Sequence, residues 1–175
     1  QSVQLPELPG DYYLITSNVG SVTQRALQRD ALSQQELKAL IGNIPAGKKA
    51  LLFDTCHSGA VGAALQGGGA RGLAEDSAIK VLSNAVGSTV LSASTSQQES
   101  LEGYENHGVF TWVLLQALGG KADVRGRGFV TTLDLANYVE DEVPRIAEQV
   151  FKAKQFPNLH TAGQAFPLVL SGGPR

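Results

Sequence analysis

The chain alternates compact apolar runs with amphipathic stretches. Asp11-Tyr12-Tyr13-Leu14-Ile15 is aromatic and β-rich, bounded by Pro9-Gly10 and Thr16-Ser17-Asn18, and predicts a short strand. Ser33 and Glu36 have capping-box spacing, and Leu37, Leu40, Ile41 and Ile44 follow at helical intervals until Pro45 and Gly47, which predicts a helix over 33–43. Lys49-Ala50-Leu51-Leu52-Phe53-Asp54 is apolar without alternation, the pattern of a strand covered on both faces in a parallel sheet. Further on, 75–84 reads as a helix, 88–94 as a second buried strand and 108–118 as an apolar helix closed by Gly119-Gly120. After a turn-rich segment at 122–128, Thr131-Thr132-Leu133-Asp134 opens a last long helix in which Pro144 marks a kink or break, and 166–170 is a final strand. Strands alternating with helices predict an α/β layer fold.

Between the strand at 49–54 and the helix at 75–84, the stretch 60–74 is rich in glycine, with Gly67-Gly68-Gly69-Ala70-Arg71-Gly72 at its centre. Such a composition does not pack a core and reads as a flexible loop. It follows no strand directly and lacks Gly-Lys-Ser/Thr, so it is not a phosphate cradle. No internal repeat and no second domain are evident over the 175 residues.

Composition narrows the function classes. Hydrophobic residues make up 42% and charged residues 17%, an ordinary globular balance. A formal net charge of −2 gives no broad basic field, which argues against nucleic acid or an anionic membrane surface as partner. No run approaches the roughly 20 apolar residues of a membrane span, and the first residues lack a secretory signal pattern. The one cysteine, Cys56, has no partner for an internal disulfide, so it is either inert packing or reactive chemistry in a reducing, cytoplasmic compartment.

The neighbours of Cys56 favour chemistry. The apolar run 49–53 ends in Asp54-Thr55-Cys56-His57-Ser58-Gly59, and in open α/β sheets the carboxyl ends of strands form the crevice where ligands gather. This stretch resembles the D-x-C-H-S-G signature of caspase-like cysteine peptidases, in particular metacaspases and bacterial orthocaspases. Ser92-Ala93-Ser94-Thr95-Ser96, Gly103-Tyr104 and His107-Gly108-Val109-Phe110-Thr111 are similar to that family's next strand, substrate loop and following helix, and the segments from Thr132 and from 158 to 170 also fit. The resemblance implies a caspase-like, mainly parallel β-sheet flanked by helices in three layers. Residues 1–171 would then be the larger, C-terminal part of one catalytic domain lacking its N-terminal strands.

The resemblance further implies an endopeptidase in which Cys56 attacks the scissile carbonyl and its backbone N–H helps hold the oxyanion. The histidine base precedes the cysteine strand in that family. Here the histidines are His57, His107 and His160, none of them upstream of Cys56, so the base is expected from an N-terminal fragment carrying the catalytic histidine. Asp54, two residues before the nucleophile, would form the floor of the pocket for an Arg or Lys side chain at the cleaved bond. Its plainer reading is a strand-end carboxylate capping backbone N–H groups. Ser94 and Glu99 are candidates for substrate contacts beside the second strand. Arg71 is a candidate self-processing site, and Arg25 and Arg29, in what reads as a polar loop before the first helix, are others. Asp123-Val124-Arg125-Gly126-Arg127-Gly128 with Asp134 is reminiscent of a calcium loop, but arginines stand where oxygen ligands are needed, so no metal or cofactor is expected. The rival reading is a catalytically inactive caspase-like binding module. A flavodoxin-like or hydrolase-like domain shares the α/β order but leaves 54–59 unexplained.

Overall fold

The computed structural model describes residues 2–4, 12–21, 23–54, 89–93 and 100–172. The first of these build a small antiparallel sheet in the order β1 (Ser2–Gln4), β2 (Tyr12–Leu14) and β3 (Leu32–Ser33). Between β2 and β3 runs α1 (Gln24–Asp30), capped by Thr23, whose hydroxyl accepts from the Ala26 N–H at 3.3 Å. Leu27 is fully buried and packs with Tyr13 and Ala31, with Ile15 and Val19 against them. Arg25 and Arg29 therefore lie on a helix and not in a loop, and helical backbone is not the extended form that a protease groove pairs with. The last residue of β3 also starts α2 (Gln34–Gly42). Ser33 Oγ accepts from the Glu36 N–H and the Glu36 carboxylate accepts from the Ser33 N–H, so the capping box and the helix expected over 33–43 both form. Ile41 is buried on α2, whereas Leu40 and Ile44 stay exposed.

The second sheet has the order β4 (Ala50–Phe53), β5 (Thr89–Ser92) and β7 (Asn158–Thr161), with β4 parallel and β7 antiparallel to β5. All four residues of β5 are buried. The run at β4 was expected to be covered on both faces, but Leu52 is 40% exposed. The difference comes from position: β5 has strands on both sides, whereas β4 has one neighbour among the described residues. A two-stranded pair, β6 (Phe129–Thr131) with β8 (Pro167–Leu170), completes the described strands.

Two helices cover β5. In α3 (Val109–Gln116), Val109, Phe110 and Val113 pack with Leu91 and Ala93. In α4 (Thr132–Ile146), Leu135, Ala136, Val139, Val143 and Ile146 form one buried stripe at helical spacing, as a surface helix requires. Thr131 caps α4 through a second capping box with Asp134. After α3 the chain makes a wide turn at Ala117–Lys121 that stops at Gly120, whose φ is +107°. A Cβ at Gly120 would also come within 3.3 Å of Ser171, so both backbone and space call for glycine there. Pro144 does not break α4, which runs past it into a π-turn at Ala147–Phe151 and ends at Lys152 in the left-handed region. The carbonyl deprived by Pro144 belongs to Glu140 on the exposed side of the helix, and buried Val143, Ile146 and Ala147 hold the helix to the core.

The segment that resembles a calcium loop is closed by the protein's own donors. One oxygen of Asp123 accepts from the Arg127 N–H (2.9 Å), and the other from the Gly128 N–H (2.8 Å) and the Ser171 hydroxyl (2.6 Å). Arg127 pairs with Asp134 and lies over the Phe129 ring at 4.9 Å. The Ser171 hydroxyl, with the Arg127 and Gly128 N–H groups and the nearby guanidinium, holds the Asp123 carboxyl below its ordinary range.

Leu135→Ala is expected to cost about 2–5 kcal/mol and Thr131→Ala about 1 kcal/mol in denaturant unfolding, the first by cavity formation and the second by loss of a cap. Because folding depresses the Asp123 carboxyl, its contribution is present above the ordinary carboxylate pKa of about 4 and is lost as pH falls through the lower folded value. Asp123→Ala should thus lower the thermal midpoint at neutral pH, with the gap to wild type closing in acid. Millimolar calcium should leave the wild-type midpoint unchanged.

Candidate active site

Parallel strands end at the same edge, so the carboxyl end of β4 meets that of β5. Phe53 stands opposite Ser92, which in turn stands opposite Asn158, and the ladder goes one step further through the Ala93 N–H to the Phe53 carbonyl at 2.9 Å. Asp54 leaves the sheet at this row and is exposed. Its carboxylate accepts a hydrogen bond from the Thr111 hydroxyl in the first turn of α3. That turn is brought to the edge by buried Val109 and Phe110 and by the Val109 N–H bonding to the Leu101 carbonyl at 2.9 Å. A carboxylate near the start of a helix is favoured by the unpaired N–H groups there.

Asp54 is therefore the expected site residue that the described structure locates, with Thr111 as its partner among the described residues. Cys56, Ser94, Glu99 and Arg71 lie outside the described residues, as do His57, the loop at 60–74 and the helix expected at 75–84. His107 is exposed in a tight hairpin where its N–H and carbonyl both bond Tyr104, across Glu105 and Asn106 at positive φ. Tyr104 anchors this hairpin, stacking edge-on against Trp112 at 5.0 Å and against Phe151 at 6.4 Å. His160, expected in a tail loop, is on β7 instead, opposite Val90. It sits two residues back from the row of Phe53, Ser92 and Asn158, on the strand beyond β5.

A second residue near this edge, besides Thr111, was not anticipated. Gln155 is fully buried. Its Nε2 donates to the Ala93 carbonyl at 2.8 Å and its Oε1 accepts from the Leu101 N–H at 3.0 Å. It comes after Lys152, whose left-handed conformation turns the chain back from α4 toward β7. No periodicity flags it in the sequence, because both bonds are to residues more than fifty positions away.

Among the described residues, no group of three or more His, Cys, Asp or Glu side chains gathers to hold a metal. No helix among them is long and apolar enough to cross a membrane.

The model of the caspase domain, of the peptidase C14 family, matches residues 5–167. No curated protein and no solved structure gave a match. The match spans most of the chain, from before β2 to the start of β8, and so takes in the whole β4-β5-β7 sheet, the Asp54-to-Gly59 stretch and the helices α3 and α4. This chain belongs to the caspase-domain family of cysteine peptidases.

Proposed function

We propose that the chain hydrolyses peptide bonds after Arg or Lys, with Cys56 as the nucleophile and a histidine from upstream polypeptide as the base. The observation that carries this reading is Asp54: an exposed carboxylate at the carboxyl end of β4, two residues before the family's nucleophile position, oriented by the Thr111 hydroxyl. A guanidinium or ammonium of the substrate meets a charge-assisted acceptor there, and an acidic side chain meets a like charge. Ser94 and Glu99 would line the rest of the cleft, where an extended substrate pairs through its backbone.

In the reaction, the Cys56 thiolate adds to the scissile carbonyl, the amine leaves with a proton from the imidazole, and water then hydrolyses the acyl-enzyme. A thiol of ordinary pKa, about 8.5, is mostly protonated at neutral pH and needs that imidazole. In this reading the imidazole comes from polypeptide upstream of Gln1, in keeping with the family order in which the histidine precedes the cysteine. Arg71, in the glycine-rich stretch of sequence shortly after the nucleophile, is the matching self-processing site in this reading.

Labelling of the chain joined to its upstream segment by a peptidyl-arginine acyloxymethyl ketone, read by intact mass, tests the reading. Wild type is expected to add one label at Cys56, the aspartyl analogue to react far more slowly, and Cys56→Ala to stay unlabelled. Asp54→Asn should reduce the arginine probe's rate roughly 10- to 100-fold, the loss of one charge-assisted bond. Labelling that ignores the arginine, or none with peptide probes while iodoacetamide still reacts, would favour the inactive binding module. On incubation, a cut after Arg71 should appear in wild type joined to its upstream segment and be absent from its Cys56→Ala form.

A further inference from the structure

Gln155 is an uncharged polar side chain with no exposed surface, and such a group is costly to bury unless its hydrogen bonds are made. It makes them to two backbone groups that no secondary structure brings together. Ala93 is the first residue past the carboxyl end of β5, and Leu101 packs against the core cluster ahead of α3. One carboxamide therefore sets the spacing of these two points. Each is also tied to the proposed cleft by a second bond. The Ala93 N–H bonds to the Phe53 carbonyl, next to Asp54, and the Leu101 carbonyl accepts from Val109 at the start of the helix that carries Thr111. Ala93 and Leu101 also flank the stretch containing Ser94 and Glu99.

We propose that Gln155 is a positioning residue for peptide binding, fixing the separation of Ala93 and Leu101 and hence the width of the cleft beside β5. This role rests on the peptidase reading. The two side-chain bonds of Gln155 go to backbone groups of Ala93 and Leu101 and not to Asp54, so its loss should weaken the holding of an extended peptide and leave the intrinsic reactivity of Cys56 in place. Both bonds are needed for the spacing. Gln155→Met, close in volume, removes both, whereas Gln155→Glu keeps an acceptor for the Leu101 N–H and replaces the donor to the Ala93 carbonyl by a repelling oxygen.

The test uses the full chain with its upstream segment and compares wild type, Gln155→Met and Gln155→Glu, each checked for cooperative unfolding. An extended peptidyl-arginine ketone and iodoacetamide are reacted with Cys56, and the saturation constant is separated from the maximal rate. The expected result is a saturation constant for the extended probe weakened about tenfold or more in Gln155→Met, and at least as much in Gln155→Glu, with the iodoacetamide rate within roughly twofold of wild type. Equal loss with both reagents, or no change in either, would overturn the proposal. Amide exchange at Leu101 gives a readout independent of peptidase activity: at least tenfold faster exchange in folded Gln155→Met supports the clamp, and unchanged exchange overturns it. If wild type ignores the arginine probe while Leu101 exchange responds, the clamp stands as a structural tie and its role in peptide binding is overturned with the peptidase reading.

Discussion

The described fold depends on the burial of β5. Its four residues lie between β4 and β7 within the sheet, and Leu91 packs with α3 and α4 in one continuous apolar cluster. A strand enclosed in this way has its backbone groups satisfied by its neighbours and removes its apolar side chains from water. The elements attached to β5 inherit that rigidity: the carboxyl end of β4 is aligned by its ladder to β5, and the first turn of α3 is anchored through Val109 and Phe110. Asp54 and Thr111 meet because β4 ends, and α3 begins, at the same edge of the sheet.

Features coded locally were legible in the sequence. Ser33 and Glu36 placed α2 to within a residue, because a capping box is completed inside four positions. The buried strand at β5, the apolar helix α3 with its glycine stop and the start of α4 were likewise read from short windows. What was missed is nonlocal. β6 has three residues pressed against the cap of α4, and β7 reads Asn-Leu-His-Thr, which carries one large apolar side chain; both are strands because of what they pair with. α1 was read as a polar loop because its burial rests on Ala26 and Leu27 alone, too little for a periodicity. Pro144 looked like a break because propensity counts the lost hydrogen bond and not the buried stripe on either side of it.

The candidate site divides in the same way. Asp54 is a candidate from the sequence because its position relative to an apolar strand and to Cys56 is a property of consecutive residues. Thr111 and Gln155 are not, since each acts on a residue more than fifty positions away. Membership of the caspase-domain family rests on the match over residues 5–167, whereas the charge preference proposed for the carboxyl edge of the sheet rests on Asp54.

The packing of Tyr104 edge-on against Trp112 has an optical consequence. The chain contains one tryptophan, on the helix that also carries Thr111, with the Lys121 ammonium 5.9 Å from its ring. Its ultraviolet emission therefore reports a single locale, the seam between α3 and the hairpin at Tyr104. Any rearrangement that lifts this hairpin from the helix will register as a change in colour or intensity without an introduced dye.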